Sequence, residues 1–131
     1  MLASSRQHID DVQKALAFFT KYLDWAAKRH DDDKINELEW FYEGFVTAFK
    51  NTGWWDHHRK ITRHHLAQAD GVHDDVNLLD VLEYIADCVM AGLARSGSVY
   101  DVKLDDEVLQ RAFKNTVKLL KQQVRIAAVV C

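Results

Sequence analysis

The sequence predicts an all-α fold, a single compact domain of five or six helices spanning residues 1–131, and three observations carry that expectation. The chain has no proline and only 5 glycines, so the commonest helix breakers are missing along its 131 residues. Apolar residues recur at spacings of three and four in successive segments, which marks one face of a helix. Clusters of carboxylates precede several of these segments, where they favour the positive end of a helix dipole.

In the first segment Ile9, Val12, Leu16, Phe19, Leu23 and Ala26 form one stripe, with Ser4 or Ser5 as the expected cap. Asp31-Asp32-Asp33 then suits the start of a second helix over about residues 34–50. Asn51-Thr52-Gly53 reads as a turn, and residues 54–67 as a shorter third helix with Gly71 in the loop beyond it. Asp74 or Asp75 is the expected cap of a fourth helix, which carries Leu78, Leu82, Ile85, Val89 and Leu93 on its buried side and stops at Gly97. Asp105-Asp106-Glu107 opens a fifth, with Leu109, Phe113, Thr116 and Leu120 along one face. Residues 126–131 are apolar and read as a last helical turn or a segment packed on a partner.

The chain is 48% hydrophobic and 28% charged, the balance of a folded domain rather than a disordered one. A net charge of -3 lacks the basic excess that holds polymeric nucleic acid, so none is expected as a partner. Arg59, Lys60 and Arg63 form a local basic patch, readable as a phosphate contact or as a solvated helix face. Two widely separated cysteines, Cys88 and Cys131, fit a reducing compartment. With no leader-like or membrane-length apolar run, the expectation is cytoplasmic residence, in a bacterial or phage-infected host cell, and no membrane partner.

The chemistry concentrates in the histidines. His57-His58 and His64-His65 are two pairs seven residues apart, and positions seven apart on a helix differ by only about 20° in direction. Trp54 and Ile61 share the face of His58 and His65, which aims that pair toward the core. Buried neutral imidazoles near one another are natural transition-metal ligands, while the structural alternative is a wet, histidine-rich face. Which member of each pair ligates is open. His30-Asp31 offers a nitrogen and an oxygen donor at a helix junction, with Lys34 beyond it and His8 on the preceding helix. Asp87 follows Asp80 and Glu83 on an acidic stripe within an apolar segment, and a buried carboxylate there requires a cation.

In this order, His8, His30-Asp31, the paired histidines and Ala86-Asp87, the chain resembles the HD-domain metal-dependent phosphohydrolase superfamily. The resemblance implies an HD-like helical fold and a basic metal site of His8, His30, Asp31 and Asp87, extended by His58, His64 and His65. Residues 30–34, His-Asp-Asp-Asp-Lys, are similar to the His-Asp-x-Gly-Lys of the branch that hydrolyses cyclic dinucleotides, and Ile85-Ala86-Asp87 through Arg95 is similar to its Ala-Asp segment ending in arginine. The Gly-Tyr-Pro motif of that branch is absent. Residues 56–120 also resemble a family of small phage and bacterial proteins, through the paired histidines, the segment Asn77 to Asp87, and a late Ala112-Phe113-Lys114-Asn115-Thr116-Val117.

By this resemblance the protein hydrolyses a phosphate bond of a nucleotide or signalling nucleotide, using one or two divalent ions: manganese, iron, magnesium, nickel or zinc. Asp31 would bridge the ions, Lys34 and Arg95 would face substrate phosphate, and Glu83 would carry a proton or orient a histidine. Lys34 has an alternative use in a helix-surface pair with Glu37. Trp54-Trp55 is readable as a stacking wall for a nucleobase or as core. The competing readings are a non-catalytic module that binds a nucleotide or a host protein, and a purely structural metal site. A homo-oligomer is a further expectation, given the apolar tail.

Overall fold

The computed structural model describes residues 2–50, 52–99 and 101–130, with side chains as far as residue 126. Among them the chain is all-helical: α1 (Leu2–Arg29), α2 (Asp33–Asn36), α3 (Leu38–Val46), α4 (Trp54–Ile61), α5 (Leu78–Ser96) and α6 (Asp106–Val130), with a 3-10 turn at Ala69–Gly71. None of these helices is long and apolar enough to cross a membrane. Asn51, at the expected turn, and Cys131, the last residue of the apolar tail, lie outside the described residues, while the backbone of α6 is helical through Val130.

α5 is the central element, packed on α1 and on α6. It starts at Asn77 rather than at Asp74 or Asp75: the Asn77 side chain accepts from the amides of Leu79 and Asp80, and the Asp80 carboxylate accepts from the Asn77 amide. That reciprocal capping box satisfies amides that the first helical turn leaves without partners. Gly97 ends the helix at φ 70, as expected.

The core lies between α5, α6 and the connection leading into α5, and consists of Leu66, Val76, Val81, Tyr84, Val108 and Ala112. Tyr84 also donates its hydroxyl to the carbonyl of Lys103 at 2.7 Å, which fixes the approach to α6. The buried face of α5 therefore differs from the expected stripe. Leu79, Val81 and Tyr84 are buried; of the expected stripe Leu78 packs against the core and Val89 is half-buried, whereas Leu82, Ile85 and Leu93 are exposed. α5 is apolar on more than one side, so its apolar spacing does not single out the core-facing direction. On α6 the expected face holds in part: Thr116 is buried and Leu120 half-buried, but Leu109 and Phe113 are exposed, and Val108 and Ala112 take their place in the core.

α1 begins at Leu2, so Ser4 and Ser5 lie inside it rather than at its cap. It buries no residue completely. Phe19, Leu23 and Ala26 are half-buried where α1 meets α5, but Ile9, Val12 and Leu16 stand exposed. The expected second helix is broken in two at Glu37 (φ -119, ψ 43). The expected third helix stops at Ile61, because Thr62 turns extended (φ -109, ψ 147) and its hydroxyl donates back to the His58 carbonyl at 2.6 Å. Trp54 is fully buried against Phe41, Phe49 and His58, so it is core and not a stacking wall, while Trp55 is 40% exposed.

Candidate metal centre

The centre forms where the C-terminal end of α1, the start of α2, α4 with the segment after it, and the middle of α5 converge. Asp31 adopts φ 53, in the left-handed region. Few residues other than glycine enter that region readily, though a short polar side chain tolerates it. The excursion reverses the chain between α1 and α2 and leaves the Asp31 carboxylate in contact with His30, Lys34, His58 and His64.

Each of three imidazoles has its Nδ1 tied to a carboxylate outside the centre. His30 and His64 both point Nδ1 at the same oxygen, Oε2 of Glu83, at 2.8 and 2.7 Å. His58 points Nδ1 at Oδ2 of Asp33, at 2.6 Å. Carboxylates accept, so these contacts place the proton on Nδ1 and turn each Nε2 inward. The three Nε2 atoms then converge on two carboxylates. His30 Nε2 lies 3.2 Å from Asp87 Oδ1 and 3.4 Å from Asp31 Oδ2, His64 Nε2 3.2 Å from Asp31 Oδ1, and His58 Nε2 3.5 Å from Asp31 Oδ1.

Lone pairs facing carboxylate oxygens repel unless a proton or cation lies between them. Asp31 Oδ1 and the Nε2 atoms of His58, His64 and His65 are buried without a hydrogen-bond partner, an arrangement that is costly for a packed core and apt for a cation. Two overlapping donor sets can hold a metal ion: Asp31 with His58, His64 and His65, and Asp31 with His30, His64 and Asp87. One Nε2 lone pair serves one ion, whereas the two oxygens of Asp31 can serve two. His64 Nε2 is nearer Asp31 Oδ1, which also faces His58, while Oδ2 faces His30 and Lys34. The arrangement thus divides into a buried, nitrogen-rich half and a more open half at His30 and Asp87, each 30% exposed.

Of the expected site residues, His30, Asp31, His58, His64, His65, Glu83 and Asp87 come together. His58 and His65 do so without sharing a helix, since His64 and His65 lie on the non-helical segment beyond α4. His57 is directed away, paired with Glu37 at 3.1 Å and lying on the Trp40 ring. His8 is exposed on α1, about 30 Å along the helix from its C-terminal end, and does not reach the centre. Arg95 is also exposed, roughly 12 Å along α5 beyond Asp87. Lys34 contacts Asp31 Oδ2 at 2.9 Å instead of Glu37. Asp33 had no role beyond the start of a helix in the sequence, yet it holds His58; only its position in His-Asp-Asp-Asp-Lys hinted at it. Both arginines of the basic patch are paired with carboxylates, Arg59 with Asp56 and Asp70, and Arg63 with Asp75 and the buried Asp80.

No family model, curated protein or solved structure matches the chain.

Proximity sets the protonation of the metal-free centre. Hydrogen bonds to Asp87 and Glu83 raise His30 to about 10 against the cost of burial. Burial pulls His64 down, but Asp31 and Glu83 outweigh it and raise this group to about 9. Burial, together with the charges of His64 and His58, lowers His65 to about 4. Burial opposes ionisation of Glu83, yet His30 and His64 bring it to about 2. Two protons thus stand in for a cation, and a metal ion must displace them.

Apparent affinity for manganese is expected to climb from pH 6 to pH 9, with proton release on binding, by chelator competition and calorimetry. In the metal-free protein, His30 and His64 contribute stability that is complete below their unfolded value of about 6.5 and disappears as pH rises through 9 to 10. His65 has the opposite sign and weakens the fold as pH falls from 6.5 toward 4. The melting temperature in chelator should therefore fall between pH 6.5 and 10. A flat profile there, with pH-independent affinity, would refute this protonation.

Proposed function

We propose that the protein is a metal-dependent phosphohydrolase of the HD type, acting on a phosphate bond of a nucleotide. The observation that carries this reading is the convergence of Nε2 atoms on Asp31, with Nδ1 of His30, His58 and His64 anchored by Glu83 or Asp33. Histidine fixed in this tautomer by a carboxylate is how proteins orient a metal ligand. The donor set of imidazoles and carboxylates fits manganese, iron, nickel or zinc, and its nitrogen-rich half is poorly suited to magnesium.

A divalent ion held here supplies a water of lowered pKa and neutralises charge on a phosphoryl group. The chain's own residues do the rest. Asp31 presents one oxygen to each half of the centre. His58 and His64, each 1% exposed, keep the closed half dry, while His30 and Asp87 leave the other half open to a substrate. Lys34, 38% exposed beside Asp31, offers a point charge to a phosphate oxygen at that edge.

Elemental analysis of the purified protein, followed by manganese loading and assay of phosphate release from a panel of nucleotides, tests this function. The expected result is at least one bound ion per chain and metal-dependent release. A chain that neither contains nor takes up a divalent ion would defeat the reading.

A further inference from the structure

Two helices run well past the start of α5. α1 lies parallel to it, since Tyr22 reaches Asn77 at the start of α5 while His30, farther along α1, reaches Glu83 and Asp87. α6 lies antiparallel, with Asn115 and Thr116 bonded to Val76 and Leu78, and with Lys103, ahead of α6, bonded to Tyr84. The first part of α1 and the last part of α6 therefore extend from the same end of the molecule, by about 30 Å before Tyr22 and about 20 Å after Thr116.

Neither arm is packed: every residue from 2 to 14 and from 121 to 126 is exposed. An isolated helix shorter than about 12 to 15 residues is marginal in water, so both arms need a covering surface. Each carries an apolar stripe for one. On α1, Ile9, Val12 and Leu16 stand exposed and continue, at alternating spacings of three and four, the stripe of Phe19, Leu23 and Ala26 that meets α5. That seven-residue repeat is the pattern of a helix-packing seam. On α6, Val117 and Val124 are exposed on either side of the half-buried Leu120, at the same spacings.

The surface area states how much cover is missing. The molecule exposes 9860 Å², whereas a compact chain of 15.2 kDa exposes about 7,100 Å². The surplus exceeds the roughly 800 Å² that each partner gives to a standard interface and reaches the range of obligate homodimers. The charges of the arms are complementary to each other. The α1 arm carries Asp10 and Asp11, while residues 117–130 carry Lys118, Lys121 and Arg125 and no carboxylate. A two-fold axis that sets the α1 arm of one copy against the α6 arm of the other makes this match twice.

We infer that a second copy of the chain covers the two arms, which join those of the partner in a four-helix bundle, each α1 arm against the partner's α6 arm. The metal centre lies at the other end of α1, so this interface leaves it open to solvent.

Sedimentation equilibrium of the full-length protein, with circular dichroism along a dilution series, tests the assignment. The expected mass is twice that of the chain, and dilution should bring monomer together with loss of helical signal as the arms fray. Val12→Lys and Val124→Lys place a good helix former at positions exposed in the single chain, so the core is untouched. Each substitution occurs twice in the dimer and should raise the dissociation constant by about 100-fold or more. Tyr42→Lys, on the exposed apolar side of α3, should leave it unchanged. Asp10→Lys with Asp11→Lys should weaken the dimer, and adding Lys121→Glu and Arg125→Glu should restore it. An unsubstituted chain that stays monomeric with full helical signal overturns the inference, as does dissociation caused by Tyr42→Lys and not by Val12→Lys or Val124→Lys. A charge reversal that the compensating pair fails to repair removes the match of α1 with the partner's α6.

Discussion

Asp31→Asn is expected to abolish manganese loading at equimolar metal and, under the proposed function, to lower hydrolysis more than about 100-fold, beyond what loss of a ligand's supporting partner costs. Asp31 is the one residue common to both halves of the centre by way of separate oxygens, Oδ1 toward His58 and His64 and Oδ2 toward His30 and Lys34. Asparagine keeps the shape of the side chain and tolerates the left-handed backbone at φ 53, so the helical circular-dichroism signal should not change. It removes the negative charge, and its amide nitrogen places hydrogens where a cation must bind. Asp31→Gly is the companion variant, because glycine relieves the backbone at this position and also deletes the carboxylate. Loss of metal in both assigns the effect to the carboxylate and not to the turn. One-to-one loading that survives in both would remove Asp31 from the site.

The same residue illustrates what a sequence conveys about such a centre. His30-Asp31 is adjacent in the chain, so its pairing of nitrogen and oxygen donors is readable directly, and the carboxylate at Asp87 stands out within an apolar segment. The histidine pairs were legible as a cluster, although the reason for their convergence was not. A continuous helix would have stacked His58 over His65, yet α4 ends at Ile61, Thr62 turns extended, and a non-helical segment delivers His64 and His65 instead. The break at Glu37, which accompanies its pairing with His57, has no proline or glycine to announce it. Nor does apolar spacing reveal which side of α5 faces the core, since Leu82, Ile85 and Leu93 have the right periodicity and lie exposed. Tertiary packing of Val81 and Tyr84 on α6 settles that direction, and the resulting rotation aims Glu83 and Asp87 at the histidines. His8 fails for the opposite reason: it has the right chemistry and place in the order, but a helix of 28 residues carries it away from the centre.

Glu83→Gln is expected to weaken manganese binding by about 10- to 100-fold, with kcat returning close to that of the unsubstituted protein once metal is saturating. A single oxygen, Oε2, accepts from Nδ1 of both His30 and His64, so one carboxylate sets the tautomer of a ligand in each half of the centre. Glutamine keeps one oxygen able to accept but loses the charge that strengthens both bonds, and its NH2 group can only donate. With its carbonyl oxygen in that position glutamine still accepts both bonds, but more weakly, so each imidazole is held less firmly in the Nδ1–H tautomer and shifts toward the form protonated on Nε2, which cannot ligate. The expectation follows from occupancy: an oxygen already accepting two bonds at 2.7 and 2.8 Å is a positioning group rather than a free base. Proton transfer by Glu83 predicts something different, a kcat deficit at saturating manganese and loss of one limb of the pH–rate profile. Titrating metal into the variant while following both kcat and the pH profile separates the roles, and a deficit that excess metal fails to repair would move Glu83 from orienting the ligands into the reaction itself.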